Sequence, residues 1–179
     1  MDSTEIPFLP ATELSALIRS GDVSPVEAAE AYLDRIGQID GKLNSYITVC
    51  RDEALAEAQQ AEKEIAAGNY RGPMHGLPVA VKDQFYTKGI RTTGGSAILK
   101  DLVPNEDATV VANLKAAGSV LLGKLNMSEY AMGDAFFHPF GTPHNPWDLS
   151  RNPGTSSSGS GAATAAFLCA TSLGEDTGG

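Results

Sequence analysis

At 179 residues the chain has the length of one domain and can bury a substantial core. Its formal charge of −9 and lack of any basic cluster exclude the broad phosphate-binding face of a nucleic-acid binder. The N-terminus lacks the basic and apolar regions of a signal peptide and no run approaches a membrane span, so a cytoplasmic protein with neither nucleic-acid nor membrane partners is expected.

Leu14, Leu17 and Ile18 share one face of a helix predicted over Thr12 to Ser20, with Gly21 as its stop. A second helix starts at a capping box, Ser24-Pro-Val-Glu27, and carries Val26, Ala29, Leu33 and Ile36 at helical spacing. Leu43 to Cys50 reads as extended, and Asp52 to Ala67 as an Ala/Glu-rich helix with Leu55, Ala58 and Ile65 inward. Leu77 to Lys82 is a short buried strand, and Gly94-Gly95 a turn. Asp107 is expected to cap a helix through Val110, Val111 and Leu114 that closes at Gly118. Ser119 to Leu125 is then a strand, Met127 to Phe137 begins as a helix, and the prolines of His138 to Leu149 impose a loop. Gly161 to Leu168 is a small-residue helix, and Ala170 to Leu173 a brief strand. This alternation predicts an α/β fold, a mixed and largely parallel sheet covered by helices on both faces. A helical region over about residues 10–70 precedes the sheet and the Ser/Gly-rich core of 75–179, within one domain and with no linker.

Three stretches carry the chemistry. Lys82 closes the apolar strand Pro78-Val-Ala-Val-Lys82, where burying an ammonium is costly. Two uses are open to it: snorkelling or pairing with Asp83, or serving as a base in a dry site. The second stretch is Gly154-Thr-Ser-Ser-Ser-Gly-Ser160, and the third Gly174-Glu-Asp-Thr-Gly-Gly179. A flexible linker is the plain reading of the Ser/Gly run, but its apolar flanks argue for a site built from main chain. A serine hydroxyl needs a positioned base to act as nucleophile. His75, His138 and His144 could supply one, yet no Gly-x-Ser-x-Gly elbow is present.

Taken together and in this order, the three stretches resemble the amidase signature family, and the resemblance covers most of the chain. Its members hydrolyse amides with a serine nucleophile, a serine in a cis peptide and a lysine. The resemblance implies Lys82 as catalytic lysine, Ser156 as cis serine after a cis Thr155–Ser156 bond, and Ser157 as an auxiliary serine. It places oxyanion donors around Thr177, Gly178 and Gly179. Thr155 and Ser158 depart from the glycines common in the family. The nucleophile falls on the position after Gly179. Two expectations attach to it: an interruption at a chemically modified serine, or a fragment without nucleophile that folds poorly or only binds. The substrate implied is a small amide, aryl amide or carbamate, turned over through an acyl-enzyme without metal or organic cofactor. Phe140-Gly-Thr-Pro-His-Asn-Pro-Trp147 leans toward stand-alone amidases, with a homo-oligomer open. The alternative is the amidase component of a glutamine-dependent tRNA amidotransferase.

Other patterns fail on their chemistry. Gly118-Ser-Val-Leu-Leu-Gly-Lys124 has P-loop spacing, but Leu125 replaces the magnesium-binding hydroxyl and the intervening residues are strand formers. Asp134, His138 and His144 lack a zinc-site spacing, as do Cys50 and Cys169, which read as buried thiols of a reducing compartment. Trp147 is expected to be a packing anchor beside the serine loop.

Overall fold

The computed structural model describes residues 2–132 and 138–177. Its first helices are α1 (Ala11–Ser20) and α2 (Pro25–Leu43). The capping box forms as the sequence dictates: Glu27 N donates to Ser24 Oγ at 3.0 Å, and Ser24 N to Glu27 Oε2 at 2.8 Å. Such a cap contributes about 1 kcal/mol. α2 runs past Ile36 to Asn44, whose φ of 51° ends it. Strand β1 (Tyr46–Val49) follows, then α3 (Arg51–Ala66) and β2 (Pro78–Lys82). Helix α4 (Thr109–Ala116), strand β3 (Val120–Leu125), helix α5 (Ser158–Ala165) and strand β4 (Thr171–Leu173) complete the described elements.

The sheet order is β1-β3-β2-β4. β2 pairs in parallel with both β3 and β4, and β1 runs antiparallel to β3, so the sheet is mixed and largely parallel. Val79, Val81 and Leu121 point to one face, where Leu114 of α4, Phe85 and Ile90 cover them. Ala80, Val120, Leu122 and Leu125 point to the other, packed with Leu14, Ala28, Leu33, Ala54, Ala58 and Ala163 from α1, α2, α3 and α5. Both faces are therefore dry, as continuous apolar strands require.

Two close approaches fix the junctions. A side chain at Gly123 would come within 2.2 Å of Thr48 O across the β1–β3 pairing. At Gly159 a Cβ would lie 2.4 Å from both Asn126 N and Ser45 O, so only glycine lets α5 abut the end of β3.

Three local expectations are corrected. Asp107 does not cap α4. Its carboxylate accepts Lys88 N at 2.7 Å and pairs with Lys115 Nζ at 2.8 Å, and Ala108 stands at the cap. The segment after Met127 makes only a 3₁₀ turn, Glu129–Ala131, because Tyr130 and Ala131 take positive φ values of 49° and 58°. The remainder of that predicted helix, residues 133–137 and with it Asp134, lies outside the described residues. The small-residue helix starts three residues before Gly161, at Ser158. No helix among the described residues is long and apolar enough to cross a membrane.

Candidate active site

The parity of β2 decides where its terminal lysine goes. Successive side chains of a strand alternate between faces. Lys82 therefore shares the α5 side with Ala80, and Asp83 turns to the opposite side. This is why pairing with Asp83, one of the two uses open to Lys82, does not occur. Lys82 is completely buried, and its Nζ lies 2.7 Å from Ser156 Oγ, 3.2 Å from Glu175 Oε2 and 3.4 Å from Glu175 O. The Thr155–Ser156 peptide is cis.

Three elements hold Ser156 in front of the lysine. Helix α5 begins two residues later, pinned against β3 by Gly159 N donating to Asn126 O at 2.8 Å. Ser128 N, just beyond β3, donates to Ser156 O at 3.2 Å. Ser157 Oγ donates to Glu175 O at 2.8 Å and accepts from Glu175 N at 3.1 Å, joining the serine loop to the turn after β4. Lys82, Ser156 and Ser157 are thus brought together around Glu175. Thr177 is exposed, and its hydroxyl donates to Glu175 Oε1. Gly178 and Gly179 lie outside the described residues. Glu175 is held below the usual carboxylate range, first by the Thr177 hydroxyl and then by Lys82.

A second buried lysine escaped the sequence reading. Lys124 of β3 sits on the opposite face of the sheet, with Nζ donating to Phe85 O and Thr92 Oγ1, both at 2.7 Å. Asp83 Oδ1 is 3.5 Å away. Asp83 Oδ2 accepts from Thr93 N at 2.8 Å and from Thr93 Oγ1 at 2.5 Å. Burial pushes Lys124 down to about 8, against the pull of Asp83. The P-loop-like spacing thus ends in a lysine that anchors the 83–93 segment. Glu175 was missed as well. Both could have been found by asking which charged groups sit in apolar or glycine-rich settings.

The other expected features fall elsewhere. His138 Nε2 meets Ser158 Oγ at 3.3 Å, and His144 Nδ1 meets Leu149 O at 2.8 Å. His75 packs against Gly118 and accepts from Arg71 N at 3.1 Å. The three histidines thus engage three different parts of the chain. Trp147 is 88% exposed and is no packing anchor: the 143–151 loop is held by hydrogen bonds from its backbone, such as Trp147 N to Asn145 Oδ1 and His144 N to Leu43 O, both at 2.9 Å. Burial pushes the Cys50 and Cys169 thiols up to about 12. A cleft of about 670 Å³ lined by Ser15, Arg19, Tyr70, Met74 and Thr171 contains none of the site residues.

A lysine and a cis-bonded serine presented on an α/β sheet define the class, and the family comparison agrees: the Amidase profile matches residues 27–179, so the chain belongs to the Amidase family. It is 48% identical over 177 residues to the A component of glutamyl-tRNA(Gln) amidotransferase from Salinispora tropica, covering 98% of this chain and 36% of that protein. With the corresponding component from Geobacter sp. (strain M21) it shares 52% identity over 168 residues, 93% of this chain and 34% of that one. Among solved structures, fatty acid amide hydrolase superposes with a TM-score of 0.92 at 29% identity, over 98% of this chain and 31% of that one. The peptide amidase from Stenotrophomonas maltophilia gives 0.83 at 35% identity, over 89% and 34%. The chain spans about a third of the length of the curated relatives it matches.

Proposed function

We propose that the protein to which this chain belongs cleaves carbon–nitrogen bonds of non-peptide amides through a Ser–cisSer–Lys relay. The observation that carries the reading is the 2.7 Å contact between a completely buried Lys82 Nζ and Ser156 Oγ. In this reading the nucleophile is a serine at the position after Gly179. Its proton passes to Ser156 Oγ as the Ser156 proton passes to the Lys82 lone pair, the relay standing in for the histidine of other serine hydrolases. Attack on the amide carbonyl gives an acyl-enzyme and an amine or ammonia. Water activated along the same path releases the acid. Thr177, Gly178 and Gly179 are assigned as the source of donors for the oxyanion.

The test uses the protein extended through the nucleophile position, with ammonia or amine release measured on small amides and carbamates. Loss of turnover in both Lys82→Ala and Ser156→Ala, with unchanged thermal unfolding, supports the relay. Turnover like the wild type in either variant overturns it. A second reading is favoured by the 48–52% identity to the amidotransferase components, above the 29–36% shared with the amidase structures. Here the amide is glutamine and the chain works beside partner proteins. Glutaminase activity that rises when such partners are co-expressed supports it, whereas unassisted turnover of small amides with none of glutamine selects the stand-alone amidase.

A further inference from the structure

Lys82 meets a carboxylate that the relay does not need for its proton transfers. Its Nζ has three partners, and two of them are oxygens of one residue: Glu175 Oε2 at 3.2 Å and Glu175 O at 3.4 Å. The third is Ser156 Oγ at 2.7 Å. A neutral amine has two N–H donors and one lone pair, arranged tetrahedrally. If both donors are taken by the oxygens of Glu175, the lone pair is left aimed at the Ser156 hydroxyl, the arrangement a base requires. We infer that Glu175 is a positioning residue for Lys82, fixing the direction of its lone pair and receiving the ammonium that forms when Ser156 gives up its proton. The inference rests on the relay proposed above.

The balance is simple. The Ser156 O–H bond breaks, a Lys82 N–H bond forms, and the new ammonium donates to Ser156 Oγ, Glu175 O and Glu175 Oε2. No further reactant enters. Serine, base and a third group that orients the base is the general logic of activated hydroxyls. The carboxylate is itself held in place. Thr177 Oγ1 donates to its other oxygen, while Ser157 Oγ bonds both Glu175 N and Glu175 O. Asp83 and Lys124 face away and engage one another at 3.5 Å, while Glu175 is ion-paired with Lys82 at 3.2 Å. Gly174 gives the turn its close seat, since a Cβ there would lie 3.2 Å from Ser157 Oγ.

The test is the pH dependence of kcat/KM for the full-length protein and three Glu175 variants, with Lys82→Ala as the control. Glu175→Gln keeps an acceptor but removes the charge beside the ammonium. Its acid limb should move to lower pH by about one unit, because an opposite charge within hydrogen-bonding distance favours the protonated amine. Its plateau should fall about tenfold as the lysinium loses its counter-charge. Glu175→Ala should lose more on the plateau, and Glu175→Asp should return the limb toward the wild type. A merely structural role would lower the plateau without moving the limb. An unmoved limb in Glu175→Gln, with Lys82→Ala inactive, overturns the inference and leaves the relay standing. Full turnover by Lys82→Ala would remove both.

Discussion

Strands β2 and β3 lie side by side, and each carries a lysine with 0% exposure at its C-terminal end. In register, Val81 faces Lys124 and Lys82 faces Leu125, so the two ammonium groups emerge on opposite sides of the sheet. Lys124 is met by Phe85 O, Thr92 Oγ1 and Asp83, all within a segment folded back over the strand ends. Lys82 is met by Ser156 and Glu175, from the far third of the sequence, beside the half-buried serine loop. One lysine is enclosed by its own neighbourhood. The other is placed where a hydroxyl and a carboxylate converge. Burial alone therefore does not separate the two lysines. The Thr92 hydroxyl beside Lys124 gives its proton to Ile90 O at 3.1 Å, whereas the hydroxyl beside Lys82 belongs to the half-buried serine loop.

The comparison can be broken at several points. Lys82→Ala should cut turnover of the full-length protein on the order of 10⁴-fold, about 5 kcal/mol of transition-state stabilisation, with its unfolding curve little changed. Lys124→Met should do the reverse, because it leaves Asp83 buried without its counter-charge. Urea unfolding should show a loss of about 3 kcal/mol. Adding Asp83→Asn, which keeps an acceptor for Thr93 N, should restore more than half of it. If Lys124→Met instead abolished turnover at full stability, the two lysines could not be assigned opposite uses.

Gly159→Ala tests the support under Ser156. Its methyl would meet Asn126 and Ser45 backbone atoms, and a loss of about 2 kcal/mol is expected from forced displacement of α5. A separate test is in pH. Lys124 is held near 8 when folded against 10.5 when unfolded, so between these values the unfolded chain binds more protons and stability rises with pH. The stability gap between wild type and Lys124→Met should widen across that window. The difference isolates this contribution from Cys50 and Cys169, whose raised thiols act in the opposite direction as pH climbs.

Much of this was legible in the sequence where local rules act alone. Ser24 and Glu27 announce α2, and the apolar runs before Lys82 and Leu125 announce β2 and β3. Lys82 and Ser156 could be named because each stands in a motif. The partners that make them a site could not be assigned the same way. Which carboxylate a lysine meets depends on strand parity and register, so Asp83, its neighbour in sequence, goes to Lys124, and Glu175, 93 residues away, comes to Lys82. Trp147, expected as a packing anchor, stands exposed instead, because whether an aromatic finds a partner depends on how its loop lies against the rest of the chain. Tyr130 and Ala131 interrupt a helix because the turn beside Gly94 holds them: Tyr130 N donates to Gly94 O at 2.9 Å.

The separation between Lys82 and its partners has a consequence for how the chain is made. At about 5–20 residues per second, the 93 residues between Lys82 and Glu175 take on the order of 5–20 s to emerge from the ribosome. Throughout that interval β2 has an ammonium that must stay hydrated, although the strand is otherwise ready to bury itself. Contacts of such long range are also the slowest to form. The polar partners of Lys82 are complete only once residues 156 and 175 have both arrived. Substitutions that weaken the docking of residues 154–175 should show first in the yield of soluble protein, during synthesis, before any assay of the finished protein.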